Sequence, residues 1–138
     1  MIQEYKFITL KEAKELLPTV KEDLRRLYRL HNTLRALSTV NLNYDDHMSG
    51  VIADVKTNKE RYRLSYEIFC ILDKLIGDGC IVRDIEMGLI DFCSLYNGRQ
   101  IFLCWKLGED DINFWHYPEE GYTGRRHVSL LNESNGIV

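Results

Sequence analysis

The sequence predicts an α+β fold in which a long antiparallel helical hairpin packs with a small antiparallel β-meander. Three observations predict it. Apolar residues recur at alternating steps of three and four across residues 10–37, the same spacing returns across 51–76, and after Gly79 the period shortens to the two-residue alternation of strands. With 138 residues the chain reads as one domain, with the hairpin at about 10–76, the meander at about 80–117 and a C-terminal loop over 118–138.

The first helix opens on Thr9-Leu10-Lys11-Glu12, a capping box in which the Thr9 hydroxyl accepts from the Glu12 amide and the Glu12 carboxylate from the Thr9 amide. Its seam runs Leu10, Ala13, Leu17, Val20, Leu24, Leu27 and Leu34, with His31 at one seam position, and Leu16, Leu30 and Leu37 widen the stripe. Pro18 lacks an amide hydrogen and crowds the preceding turn, so it predicts a kink or a restart near Leu16–Leu17. The polar stretch Ser38–Gly50 reads as a loop. The second helix, about 51–76, carries Val51, Ile52, Val55, Tyr62, Phe69, Leu72 and Ile76 on one stripe and Leu64, Ile68, Ile71 and Leu75 beside it. Gly77-Asp78-Gly79 ends it.

Four strand segments follow: Cys80–Asp84, Gly88–Phe92, Gln100–Lys106 and Ile112–Tyr117. Asn97-Gly98 is a strong hairpin signal, because a type I′ turn needs positive φ at both central residues. Strands this close together pair antiparallel. Alternation places Ile101, Leu103 and Trp105 on one side of the third strand and Phe102 and Cys104 on the other. In the fourth, Ile112, Phe114 and His116 share a face opposite Asn113, Trp115 and Tyr117. Aromatic side chains therefore occupy both faces of the sheet, and the face away from the hairpin needs cover from the tail, a second subunit or a ligand.

Composition narrows the function classes. Hydrophobic residues make up 45% and charged residues 28%, a globular balance that excludes intrinsic disorder. No apolar run is long enough for a membrane span, and no basic-then-apolar leader opens the chain, so no membrane partner and a cytoplasmic location are expected. The net charge of −3 and the lack of a long basic run make nucleic acid an unexpected partner. Cys70, Cys80, Cys93 and Cys104 form no C-x-x-C pair, so four free thiols are expected.

Two constellations carry possible chemistry. Cys104, Glu109 and His116 lie on adjacent strands and the turn between them, and thiolate, carboxylate and imidazole are all ligands for zinc or another divalent transition metal. Read without a metal, they are a buried thiol, a turn carboxylate and a hydrogen-bonded strand histidine. Arg99 and Arg125, with Arg126, stand among aromatics, where guanidinium forks grip an anion or a nucleotide phosphate and rings stack a base. Read structurally, these arginines pair with Asp84, Asp91 or Glu119. Asp91 and Glu109 form a conceivable acid/base pair with no fixed separation. On the first helix, Lys21, Arg25 and Arg29 fall at i, i+4 and i+8 as a basic stripe, the usual mark of a solvated face.

The run Asp84-Ile85-Glu86, Gly88-Leu89-Ile90-Asp91-Phe92, Gly98-Arg99, Leu103-Cys104-Trp105, Gly108-Glu109, Trp115-His116 and Gly121 through Gly124-Arg125-Arg126 resembles a family of small prokaryotic proteins known only as a domain of unknown function. Phe7–Thr9 and Glu15-Leu16-Leu17-Pro18 resemble it as well. The resemblance implies a cytoplasmic protein and no particular activity. The chain departs from the family pattern at Cys93 and at His127, where family members often carry proline.

Three functional readings follow. One is a non-catalytic interaction or assembly protein, a homodimer through its hairpin, because each helix carries more apolar surface than one partner helix covers. Another is a metal-binding protein or metalloenzyme using Cys104, Glu109 and His116. The last is a binder of small anions or nucleotides through Arg99 and Arg125.

Overall fold

A computed structural model describes residues 5–39 and 46–131. Helix α1 spans Leu10–Thr39 and α2 spans His47–Gly77, and they are followed by β1 (Cys80–Asp84), β2 (Leu89–Tyr96), β3 (Arg99–Lys106), β4 (Phe114–His116) and β5 (Arg126–His127). The strands form one sheet in chain order, each antiparallel to its neighbour. This is the predicted hairpin and meander, with one short strand added where only loop was expected.

Local chemistry explains the boundaries. The Thr9–Glu12 capping box forms in both directions, at 3.2 and 3.0 Å. Asp46 caps α2 by accepting from the Ser49 amide at 2.7 Å, so α2 begins four residues before the apolar pattern does. Part of the predicted 38–50 loop, residues 40–45, lies outside the described residues. α1 continues through Pro18 as one helix. The proline faces solvent, so the Lys14 carbonyl, denied an amide partner by Pro18, is open to hydration.

Gly79 turns the chain from helix to sheet at φ +91°, and a side chain there would stand 2.9 Å from the Lys6 carbonyl. Close approach of the N-terminal segment matters, because the Ile8 amide donates to the Cys93 carbonyl at 2.8 Å and the Ile8 side chain is buried. At the β2–β3 turn, Asn97 and Gly98 take φ of 53° and 73°, as a type I′ turn requires.

The core lies between the hairpin and one sheet face. Ala13, Leu17, Val20, Leu24 and Leu27 of α1 and Ile71 and Leu75 of α2 meet Ile90, Phe92, Ile101, Leu103 and Trp105. The two α2 stripes have different fates, although Leu72 of the first still packs against the core. Leu64, Ile71 and Leu75 are buried within the chain, while Met48, Ile52, Val55, Tyr62, Tyr66 and Phe69 face outward. Both stripes have helical spacing, and packing against α1 and the sheet decides between them.

Candidate metal centre

The far face of the sheet is built by alternation and register. Asp91 on β2 pairs with Cys104 on β3, and Phe102, two residues before Cys104, pairs with His116 on β4. Asp91, Cys104 and His116 therefore share one face. A bulge in β1 between Val82 and Asp84 inserts Arg83, which turns its guanidinium over the same face, above the Phe102 ring.

These side chains converge. One ligand atom each from Asp91, Cys104 and His116 lies within 4.8 Å of the others, and all three residues are buried. Asp91 accepts from Arg83 Nε at 2.8 Å and faces His116 Nε2 at 3.0 Å. His116 Nδ1 stands 2.9 Å from the Tyr117 carbonyl. A carbonyl only accepts, so Nδ1 carries a proton and Nε2 is the nitrogen turned to the carboxylate.

Burial is the largest influence on the Asp91 carboxyl and pushes its pKa up, but the hydrogen bonds from His116 and Arg83 together outweigh it and hold it below the ordinary value. Burial pushes His116 down, but its hydrogen bonds to the Asp91 carboxylate and to the Tyr117 carbonyl together raise it overall. Burial, reinforced by Asp91, pushes the Cys104 thiol up to about 12. Without a cation beside it, this thiol is protonated and a poor nucleophile.

Residues 118–122 fold back over part of this face and leave a cleft of about 290 Å³ above Asp91, Cys104 and His116. Glu120 lines the cleft. Its Oε1 is held by Arg126 at 2.7 Å, while Oε2 is buried without a hydrogen-bond partner.

Of the residues singled out for a metal, the structure brings Cys104 and His116 together and takes Glu109 elsewhere. Arg125 holds both Glu109 oxygens, at 2.6 and 2.7 Å, and the Lys106 amide donates to Oε1 at 2.6 Å. Glu109 thus closes the β3–β4 turn, helped by the Trp105 indole donating to its backbone carbonyl. The arginines considered for anions have carboxylates already. Arg125 is committed to Glu109 and stacks over Phe114 and Tyr122, and Arg99 pairs with Glu119 over the Tyr117 ring. The half-exposed His31 is 3.5 Å from Glu86 rather than within the core.

Sequence reading passed over Asp91 as a ligand and Arg83 altogether. The available signal was an aspartate at an interior strand position between Ile90 and Phe92, because a buried carboxylate demands partners. For Arg83 the signal was alternation along β1, which puts it opposite Cys80 and Val82 and so on the Asp91 face.

No curated protein and no solved structure matches the chain. A family match extends over residues 6–128, nearly the whole chain and every residue of the centre. The protein belongs to the family described as "Uncharacterized conserved protein (DUF2203)".

Proposed function

We propose that the protein binds one divalent transition metal, with zinc the best chemical fit, through Asp91, Cys104 and His116. The convergence of a carboxylate oxygen, a sulfur and an imidazole nitrogen within 4.8 Å carries this reading. Mixed oxygen, sulfur and nitrogen donors suit zinc. The His116 Nδ1–H bond to the Tyr117 carbonyl is the outer support that metal-bound histidines usually have, leaving Nε2 for the ion. Binding would release the proton at Nε2 and that of the Cys104 thiol. Three protein ligands beneath a cleft leave a fourth position open, the arrangement of a reactive rather than a purely structural site.

Elemental analysis of untagged protein is the test. We expect about one zinc per chain, loss of binding in Cys104→Ser and His116→Ala, and retention in Glu109→Gln. Saturating metal should raise the melting temperature, since a ligand at a hundred times its Kd stabilises by about 2.7 kcal/mol. Metal-free protein whose melting is indifferent to both zinc and chelator overturns the proposal and leaves Asp91, His116 and Arg83 as a structural ion network.

A second reading concerns assembly. Met48, Ile52, Val55, Tyr62, Tyr66 and Phe69 continue a three-four spacing along the outer face of α2, interrupted by Lys59 and Asp73, and each is about half exposed or more. We infer a cytoplasmic homodimer in which two α2 helices cover this stripe. Light scattering should give a mass near 33 kDa, twice 16.3 kDa, falling to the monomer in Tyr66→Glu/Phe69→Glu. A wild type that stays at 16.3 kDa at micromolar concentration overturns it.

A further inference from the structure

The basic stripe of α1 does not lie on an ordinary solvated face. Lys21, Arg25 and Arg29 edge a cleft of about 520 Å³ between α1, the β1–β2 turn and the end of β3, a volume typical of small-molecule sites. Its apolar walls include Leu24, Tyr28, Trp105 and Leu107, and Lys21 Nζ lies 5.4 Å from the centre of the Trp105 ring.

Like Lys11 on the same helix, none of the three cations has a carboxylate partner among the described residues, but these three share one cleft. On the same helix, Lys14 pairs with Asp111, Arg26 with Glu67 and Arg35 with Glu86. Among the described residues, no carboxylate lies within ion-pair distance of Lys21, Arg25 or Arg29. Glu86 also lines the cleft, but Arg35 and His31 hold its carboxylate at 3.0 and 3.5 Å. One helical turn separates each cation from the next, so the row extends over about 12 Å at 1.5 Å per residue. Unneutralised charge at the rim of a low-dielectric cleft concentrates its field there.

We propose that this cleft binds a small amphipathic anion, an aliphatic or aromatic body bearing a phosphomonoester. The body occupies the apolar walls, and the phosphate oxygens take hydrogen bonds from Arg25 and Arg29, with Lys21 adding charge. A guanidinium donates two parallel hydrogen bonds to a phosphate, which is why two arginines one turn apart favour this head group over a single carboxylate. The proposal is independent of the metal centre, whose residues lie in the other cleft.

Hexyl phosphate, inorganic phosphate and hexanol are the probes, measured by calorimetry and by tryptophan fluorescence on the full chain. Hexyl phosphate should bind one per chain, inorganic phosphate at least roughly tenfold more weakly and hexanol not measurably. Arg25→Gln/Arg29→Gln should weaken hexyl phosphate by roughly tenfold for each arginine, the usual scale of a charge-assisted contact. Both arginines are exposed, so the melting temperature of the double variant should match the wild type and separate lost binding from lost folding. His116→Ala should bind hexyl phosphate as the wild type does. Equal binding by the double variant, no binding of hexyl phosphate, or inorganic phosphate binding as tightly as hexyl phosphate would each overturn the proposal. A short DNA duplex that competes hexyl phosphate off at equal affinity would assign the stripe to nucleic acid instead.

Discussion

Ile90 and Asp91 are neighbours in β2 and both are almost completely buried, yet they face opposite chemistries. Ile90 joins Phe92, Leu103 and Trp105 beneath the helices, where contacts are apolar. Asp91 joins Cys104, His116 and Arg83 beneath the folded-back tail, where its bonds are to charged and polar groups. The difference lies in what covers each face. A helix satisfies its own backbone and offers only side chains, so a sheet face beneath it must be apolar. An irregular segment brings carbonyls with a lone pair to spare, such as that of Tyr117, which accepts from the Glu120 amide and from His116 Nδ1, and a sheet face beneath it can carry polar groups at little cost.

The largest effects should come from single truncations that break either face. Phe92→Ala should cost about 3–5 kcal/mol through lost burial and the cavity left behind. Asp91→Ala should cost a similar ~3–5 kcal/mol for a different reason, the stranding of Arg83 and His116 without their counter-ion. Urea denaturation gives both values, and companion changes tell them apart. Arg83→Met/Asp91→Leu/His116→Phe should recover most of the Asp91→Ala loss, because an apolar replacement of a buried ion network is often neutral. Failure to recover would mean that the polar face needs its charges to fold.

A smaller effect is expected at the edge of the polar face. Glu109→Ala removes both carboxylate bonds to Arg125 and the bond from the Lys106 amide, and should cost about 1.5–3 kcal/mol. A loss below about 0.5 kcal/mol would show that the β3–β4 turn closes without it.

The mildest test compares thiols, with no mutation at all. Burial pushes Cys93 up to about 11 and Cys104 up to about 12, and pushes Cys80 up as well. Cys70 alone is exposed. At pH 8 a disulfide reagent should therefore titrate one thiol quickly, and all four only after denaturation. Fast reaction at Cys104 would reveal that residues 118–122 open readily over the polar face.

Much of this architecture was legible in local sequence. The Thr9–Glu12 box, the Asn97-Gly98 turn and the change of period after Gly79 depend on residues within a few positions of one another, and the structure has all three. Alternation was enough to show that Cys104 and His116 belong to one face once β3 and β4 pair. Asp91 and Glu109 were not separable this way. Whether Asp91 joins that pair depends on β2–β3 register, and whether Glu109 does depends on Arg125 arriving from 16 residues away.

The same division holds along α2. Two apolar stripes have equal helical spacing, so periodicity identifies a helix with two candidate core faces and no means of choosing. Packing against α1 and the sheet made the choice, burying Leu64, Ile71 and Leu75 and leaving Tyr62, Tyr66 and Phe69 outward. Capping, turn chemistry and periodicity are short-range preferences carried by the residues themselves. Ion pairing, stripe selection and the pairing of β5 exist only after distant segments meet, because an apolar stripe gains by leaving water only where another segment covers it, and a charged or backbone group leaves water only where a partner offsets the cost.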